Sequence, residues 1–232
     1  MSAAKRLTKK QLKDDKFVDA MLGYGELARK YQRHIFYGLL VIILVILGLT
    51  WGANYRRAQG AEAQQAFSAA LKTLDTAMAS AADTDYAAAQ AAFEDVILEH
   101  GGRQVGKWSL YFTGFCKERV MDYVEAQADY ERYLEEDPRG EFEIPARVGI
   151  AVCLGSMGKM KQEADILTEL AGREEIGTKQ AQAWLYQASQ IYLDEGYFSV
   201  AKELLERLAA DADPTLARKI EQDLEALKSL GS

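Results

Sequence analysis

Residues 122–138 read D-Y-V-E-A-Q-A-D-Y-E-R-Y-L-E-E-D-P, and this stretch carries a strong repeat pattern. It matches the second helix and exit turn of a helix–turn–helix repeat about 34 residues long, which has a small residue at its twentieth position and a bulky one four places later. Placing Pro138 in the exit turn puts Ala126 at the small position and Tyr130 at the bulky one. The same register puts Gly114 at the small position of the preceding helix. The stretch therefore predicts one complete pair of antiparallel helices.

The same pattern extends to both sides of this pair. A second strong match has Gly196 in its turn, a weaker unit lies between the two, and a helix pair over 61–74 and 86–98 is joined by a long alanine-rich connection over 76–84. A final amphipathic helix over 215–230 is expected to cover the last pair. Because each pair buries its apolar side only against its neighbours, we predict an all-α, tetratricopeptide-like helical solenoid with a C-terminal capping helix. The residues that set these registers are Leu185, Ser189, Tyr192, Ala201 and Leu205 for the last unit, and Ile150, Ala151 and Gly158 for the weaker one.

An uncharged segment covers residues 35–55, and residues 39–47 are Leu, Val and Ile throughout. About 20 helical residues span the roughly 30 Å of a bilayer's hydrocarbon core. Phe36 and Tyr37 mark one edge of the segment and Trp51 and Tyr55 the other, as interfacial aromatic residues do. We predict a transmembrane helix that acts as an uncleaved signal anchor. The alternatives are a buried core helix, which rarely lacks a polar face over this length, and a cleaved signal peptide, whose charged leader would be much shorter.

Charge is distributed unevenly around this segment. Residues 1–34 hold nine Lys and Arg against four Asp and Glu, a balance of +5. The whole chain has a net charge of −7, so the remaining residues sum to −12. The basic flank favours the cytoplasm, which places the repeat domain outside, in the periplasm of a Gram-negative cell. We therefore expect three parts: a cytoplasmic tail over 1–34, a transmembrane anchor over 35–55 and a repeat domain over 56–232. The acidic domain argues against nucleic acid as a partner, because phosphates would be repelled.

The cytoplasmic tail contains a predicted amphipathic helix. Thr8 and Gln11 form a capping-box pattern at its start, and apolar residues then recur at steps of three and four. Such a helix can lie on anionic lipid headgroups or dock on a cytosolic partner.

The first helices of the pairs are expected to line a groove that binds other proteins. Aromatic side chains combined with arginine are common in peptide-binding surfaces. The alternative is that these side chains pack in the core, and Lys117 falls at a position that is nominally part of that core. The groove candidates are Trp108, Tyr111, Phe115 and Arg119 in one unit, and Tyr186 and Gln190 in the last.

Motifs for chemistry are missing from the sequence. Its two histidines and two cysteines form none of the spacings used by zinc or haem sites, and no phosphate-binding loop or nucleophile elbow occurs. We therefore predict a non-enzyme with no metal, no cofactor and no small-molecule substrate. Cys116 and Cys153 occupy similar places on neighbouring first helices, which typically lie about 8–10 Å apart, too far for a disulfide. We expect two buried free thiols.

The overall organisation resembles a known family. A short tail, a signal anchor and a repeat domain opening N-Y-R-R-A-Q-G-A-E-A-Q-Q-A-F, residues 54–67, are similar to the YfgM-like ancillary subunits of the Sec translocon. The tail sequence R-L-T-K-K-Q-L-K-D-D-K-F, residues 6–17, resembles tails of related anchored repeat proteins. The resemblance implies a periplasmic domain that associates with the Sec channel and a membrane-anchored chaperone, and it implies no catalytic residue.

Two functions follow as hypotheses. The first is a scaffold in the inner membrane, with lipid and other proteins as its partners, that works as a protein–protein interaction adaptor near the export machinery. The second is a structural accessory subunit that stabilises a larger inner-membrane complex, respiratory or photosynthetic for example, through its transmembrane helix and its repeat domain.

Overall fold

The computed structural model describes residues 9–173 and 178–230, with side-chain surroundings at Arg33 and over 36–173 and 178–229. These residues form nine helices and no strand, which confirms the predicted all-α class. The capping box predicted at Thr8 and the apolar face of the tail helix lie outside the residues and side chains described. The helices are α1 (Lys9–Ser80), α2 (Asp83–His100), α3 (Gln104–Arg119), α4 (Tyr123–Glu136), α5 (Glu143–Ser156), α6 (Met160–Ala171), α7 (Thr178–Asp194), α8 (Phe198–Ala209) and α9 (Pro214–Leu230).

The chain divides into two compact units, and the division falls within α1, after Gly60. In the first unit every side chain over 36–50 is exposed, and Leu49 and Trp51 are 70% and 77% exposed. Burying one Leu, Ile or Val is worth about 1.5–3 kcal/mol, so a surface of this composition favours lipid over water. Within the described residues, one helix is long and apolar enough to cross a bilayer, and its apolar segment starts at Phe36. Its insertion and its orientation stay predictions, as do the domain boundaries at 34 and 55.

The second unit, from Ala61 onward, is a stack of helix pairs. Each helix from α2 to α8 packs on the next one along the chain, and α3 also packs on α5, the first helix of the following pair. Buried side chains form three core clusters, and each cluster joins consecutive helix pairs, as in a solenoid. The first cluster centres on Phe67 and Phe93, the second on Tyr130 and Tyr133, and the third on Leu205.

Two connections in this unit are informative. The long connection predicted over 76–84 is wrong, because α1 continues to Ser80 and α2 begins at Asp83. Alanine has the highest helix propensity, and Ala77 is fully buried in the first cluster, so the alanine-rich stretch extends the helix. The capping helix α9 begins at Pro214, one residue from its predicted start. Asp213 caps it, since the Asp213 carboxylate accepts hydrogen bonds from the backbone N–H groups of Thr215 and Leu216 at 2.8 and 3.1 Å.

The stacking of the helix pairs can be tested by substitution of Gly149. Glycine inside a helix usually costs about 0.5–1 kcal/mol relative to alanine, so Gly→Ala normally stabilises a helix. In α5, however, a Cβ at Gly149 would overlap the ring of Tyr130, which is only 1% exposed. We expect Gly149→Ala to lower the free energy of unfolding by about 1–3 kcal/mol, measured by urea denaturation of the full chain in detergent. Val152→Ala, at an exposed site on the same helix, is the control. A Gly149→Ala variant as stable as wild type would contradict this packing.

Candidate protein-binding groove

The groove candidates on α3 lie along one side of that helix. Trp108, Tyr111 and Phe115 are half-buried, whereas Arg119 is exposed. The Trp108 ring lies 5.8 Å from the Phe67 ring, between centroids, and its indole Nε1 is buried without a hydrogen-bond partner among the described residues. These aromatic side chains therefore contribute to the core clusters and keep only part of their surface for a ligand.

Phe142, just before α5, completes this aromatic group. Its ring stacks on Tyr111 with centroids 4.6 Å apart and planes at 6°, and it meets the edge of Trp108 at 6.0 Å. The Phe142 backbone N–H donates to the Tyr133 hydroxyl at 3.0 Å, which fixes the loop between α4 and α5. Sequence reasoning missed Phe142, because it lies in a loop where the repeat pattern assigns no aromatic residue. Burial, with Glu118 nearby, raises the pKa of Tyr111, so its hydroxyl stays neutral and able to donate.

Arg119 extends the α3 candidates towards the first helix pair. Its guanidinium carbon lies 5.8 Å from the centroid of the Tyr86 ring, within the range of a cation–π contact. Because the side chain is exposed, its charge remains available to a partner.

On α7, Tyr186 and Gln190 converge on one carboxylate. The Tyr186 hydroxyl and the Gln190 amide both donate to Asp223 Oδ2, at 3.1 and 2.8 Å. Asp223 belongs to α9 and was missed by sequence reasoning. A signal existed, since Asp223 follows Leu216 by seven residues and Ile220 by three, which places a carboxylate on the apolar face of the capping helix. The two hydrogen bonds hold α9 against α7 and fix the orientation of the two groove candidates.

A pocket of about 430 Å³ lies between α7 and α9, next to this hydrogen-bonded group. Ala183, Tyr186 and Leu216 give it apolar surface, Lys179 and Lys219 supply two positive charges, and Asp213 supplies one negative charge. The Lys219 ammonium lies 6.0 Å from the centroid of the Tyr186 ring. Burial and the hydrogen bond to Asp223 raise the pKa of Tyr186, so this hydroxyl also stays protonated. An apolar floor with two lysines against one carboxylate suits a peptide segment that carries an acidic group.

A second pocket, of about 500 Å³, lies between α2, α3 and α4. Among its lining residues, Lys117 and Asp129 form an ion pair, with Lys117 Nζ 2.7 Å from Asp129 Oδ2. The two side chains are only 13% and 16% exposed. This pairing explains how a lysine occupies a nominal core position in α3. Burial raises the pKa of Asp129, and its bond to Lys117 opposes that effect.

The cysteines and the acidic residues do not form a reactive centre in the described part of the chain. Cys116 and Cys153 are buried and unpaired, as predicted, and burial raises the pKa of each thiol to about 12. No group of three or more His, Cys, Asp or Glu residues that could hold a metal ion occurs over 9–173 and 178–230. The absence of enzymatic activity stays a prediction.

The helix pairs and their packing are similar to a solved structure. A crystal structure from Podospora anserina, of a protein assigned as a kinesin light chain with nearly identical TPR-like repeats, matches this chain with a TM-score of 0.51. The chain has a TPR-like repeat fold. The two sequences are 13% identical, and the match covers 72% of this chain and 98% of the other, so the likeness concerns the fold alone. No protein-family model and no curated protein matches the sequence, and membership of the YfgM-like family is unsupported by these comparisons.

The ion pair in the second pocket should be sensitive to loss of either partner. Removing one member of a buried pair leaves an uncompensated charge, which typically costs about 3–5 kcal/mol, whereas an apolar pair of similar volume is often tolerated. We expect Lys117→Met to lower the free energy of unfolding by about 3 kcal/mol. The double variant Lys117→Met, Asp129→Leu should recover most of that loss. Urea denaturation of the full chain in detergent measures both, and additive losses in the double variant would show that the two charges are not coupled.

Proposed function

We propose that this protein is a membrane-anchored adaptor whose TPR-like unit faces the periplasm and binds segments of other proteins near the inner-membrane export machinery. One observation carries the proposal: a single chain combines an exposed, wholly apolar helical segment with a TPR-like unit that offers a pocket beside Tyr186 and Gln190. The apolar segment supplies an anchor, and the repeats supply a binding surface, since folds of this kind typically serve as interaction scaffolds.

The charges of the chain support an acidic-tipped peptide as the ligand of this pocket. The second unit, 61–232, holds 17 Lys and Arg against 31 Asp and Glu, a net charge of −14. Within so acidic a unit, the pocket beside Tyr186 is an exception, because its lining carries two lysines against the single carboxylate of Asp213. The same net charge disfavours nucleic acid and anionic lipid as ligands of the unit. A peptide whose side chain or terminal carboxylate lies between Lys179 and Lys219 would also cover the apolar floor of the pocket.

Orientation is tested with a reporter fused after Ser232 that is active only when exported. We expect activity, because the basic residues over 1–34 hold the N-terminus in the cytoplasm and long domains are translocated largely regardless of their charge. A cytosolic reporter at the same site is the control. Activity of the cytosolic reporter alone would reverse the topology and exclude a periplasmic adaptor.

Binding in the groove is tested by site-specific photo-crosslinking of the full chain in cells. A probe at Ala183, which is exposed and lines the pocket, should give polypeptide adducts, and a probe at Glu203, exposed on α8, should not. Lys179→Glu together with Lys219→Glu should reduce the Ala183 adducts about tenfold, because two attractive contacts become repulsive.

The identity of the adducts decides between the two functional hypotheses. Export-channel subunits, chaperones or exported chains bound at Ala183 would support the adaptor. Adducts to the subunits of one stoichiometric membrane complex would instead support the accessory structural role and contradict the adaptor. Equal yields at Ala183 and Glu203 would remove the groove from the function altogether.

A further inference from the structure

Three turns in the second unit share one backbone conformation. These turns follow α3, α5 and α7, and each contains one residue with a positive φ. The backbone N–H of the next residue donates to the carbonyl five residues earlier. The three bonds run from Asp122 to Lys117, from Lys159 to Leu154 and from Tyr197 to Tyr192, at 2.7–2.9 Å. This is the Schellman motif, which requires a positive φ at the preceding residue and usually has glycine there. Two of the three turns follow the rule, with Gly158 and Gly196 both at φ +78°.

The turn after α3 breaks the rule, because its left-handed residue is Met121, at φ +66°. A left-handed conformation is unfavourable for a residue with a side chain, so glycine would make a more stable turn. The side chain provides no evident compensation, since Met121 is 73% exposed. Val124, three residues on in α4, is also 65% exposed. Two unfavourable features, backbone strain and exposed apolar surface, therefore coincide at one turn.

We propose that Met121 and Val124, the apolar knob, insert into an apolar pocket of a partner protein whose rim carries Lys or Arg. This surface lies on the turn between α3 and α4 and is separate from the pocket between α7 and α9. Strained residues persist where the conformation serves a purpose, and exposed methionine adapts well to a partner's surface.

Charge identifies the kind of partner. Asp122 and Glu125 are both exposed and flank the knob, and the whole second unit has a net charge of −14. The exposed cation nearby in the chain, Arg119, has its guanidinium over the Tyr86 ring of α2, so the two carboxylates outnumber it beside the knob. An anionic bilayer would be repelled by these carboxylates, and a second copy of the same turn would place acidic groups against acidic groups. A basic rim around an apolar pocket is complementary to both features of the knob.

The test separates binding from folding, because the informative substitution should stabilise the protein. Met121→Gly removes the backbone strain and the apolar side chain together. We expect the melting temperature of the full chain in detergent, followed by the exposure of the buried Cys116 and Cys153 thiols, to rise by about 2–4 °C. Gly196→Met, which creates the same strain at the equivalent turn, should lower it by a similar amount.

Partner binding is measured with a photo-crosslinking probe at Ala128, exposed one turn after Val124, and with a control probe at Glu203, the equivalent position in the last pair. We expect an adduct at Ala128 alone, joined to a partner peptide that contains apolar residues next to Lys or Arg. Met121→Gly should reduce its yield about tenfold, and Gly196→Met should leave it unchanged.

Several outcomes would contradict the proposal that the apolar knob binds a basic-rimmed pocket of a partner. In the crosslinking experiment, they are an adduct unaffected by Met121→Gly, an adduct to lipid or to a second copy of the chain, an acidic partner peptide, or equal yields at the two probes. In the stability experiment, it is a melting temperature lowered by Met121→Gly. The groove proposal is independent of them, because it depends on the Ala183 probe and on Lys179 and Lys219.

Discussion

The ring of Tyr130 lies between two glycines, and the stacking of the repeats depends on that contact. A Cβ at Gly114 of α3 would lie 3.0 Å from the Tyr130 ring, and one at Gly149 of α5 would overlap it. The Tyr130 hydroxyl donates to Glu118 at 2.8 Å, so the polar end of this buried side chain is also satisfied. A large ring thus fills the space that two missing side chains leave between consecutive first helices. Because α3 carries four of the groove candidates and α5 follows the loop at Phe142, the geometry of both follows from this packing.

The same logic explains which parts of the fold could be predicted. Gly114, Ala126 and Tyr130 obey the repeat pattern because they are in contact with one another across the helix pair, so their spacing is visible in the sequence. The connection over 76–84 could not be read this way. Alanine's high helix propensity favours a helix over this stretch, but propensity alone does not set where the helix ends. The burial of Ala77 against the first cluster accompanies the extension of α1 to Ser80. That burial depends on α2, which lies beyond the connection in the chain.

Polar contacts between different helices were the least predictable part of the candidate site. The Asp223 carboxylate accepts bonds from residues 33 and 37 positions earlier, and Lys117 pairs with Asp129 in the next helix. Repeat patterns specify size and polarity at each position, but not which polar groups meet. Phe142 belongs to the same class, because its position depends on the loop between α4 and α5. The aromatic and polar residue types of the candidate site were therefore recognisable in the sequence, whereas the contacts between them are set by the packing of the helices.

The half-buried aromatic residues of α3 contribute to stability, and a ligand in the proposed groove would contact the same side chains. Trp108, Tyr111 and Phe115 pack on the core clusters, so their truncation would weaken the fold as well as a binding surface. An effect of such a substitution on binding would not identify a groove. The exposed lysines beside Tyr186 and the exposed side chain of Met121 are different, because neither contributes to a core cluster. In a solenoid, whose framework uses most large apolar side chains for stacking, function is best recognised where a residue departs from what stacking requires.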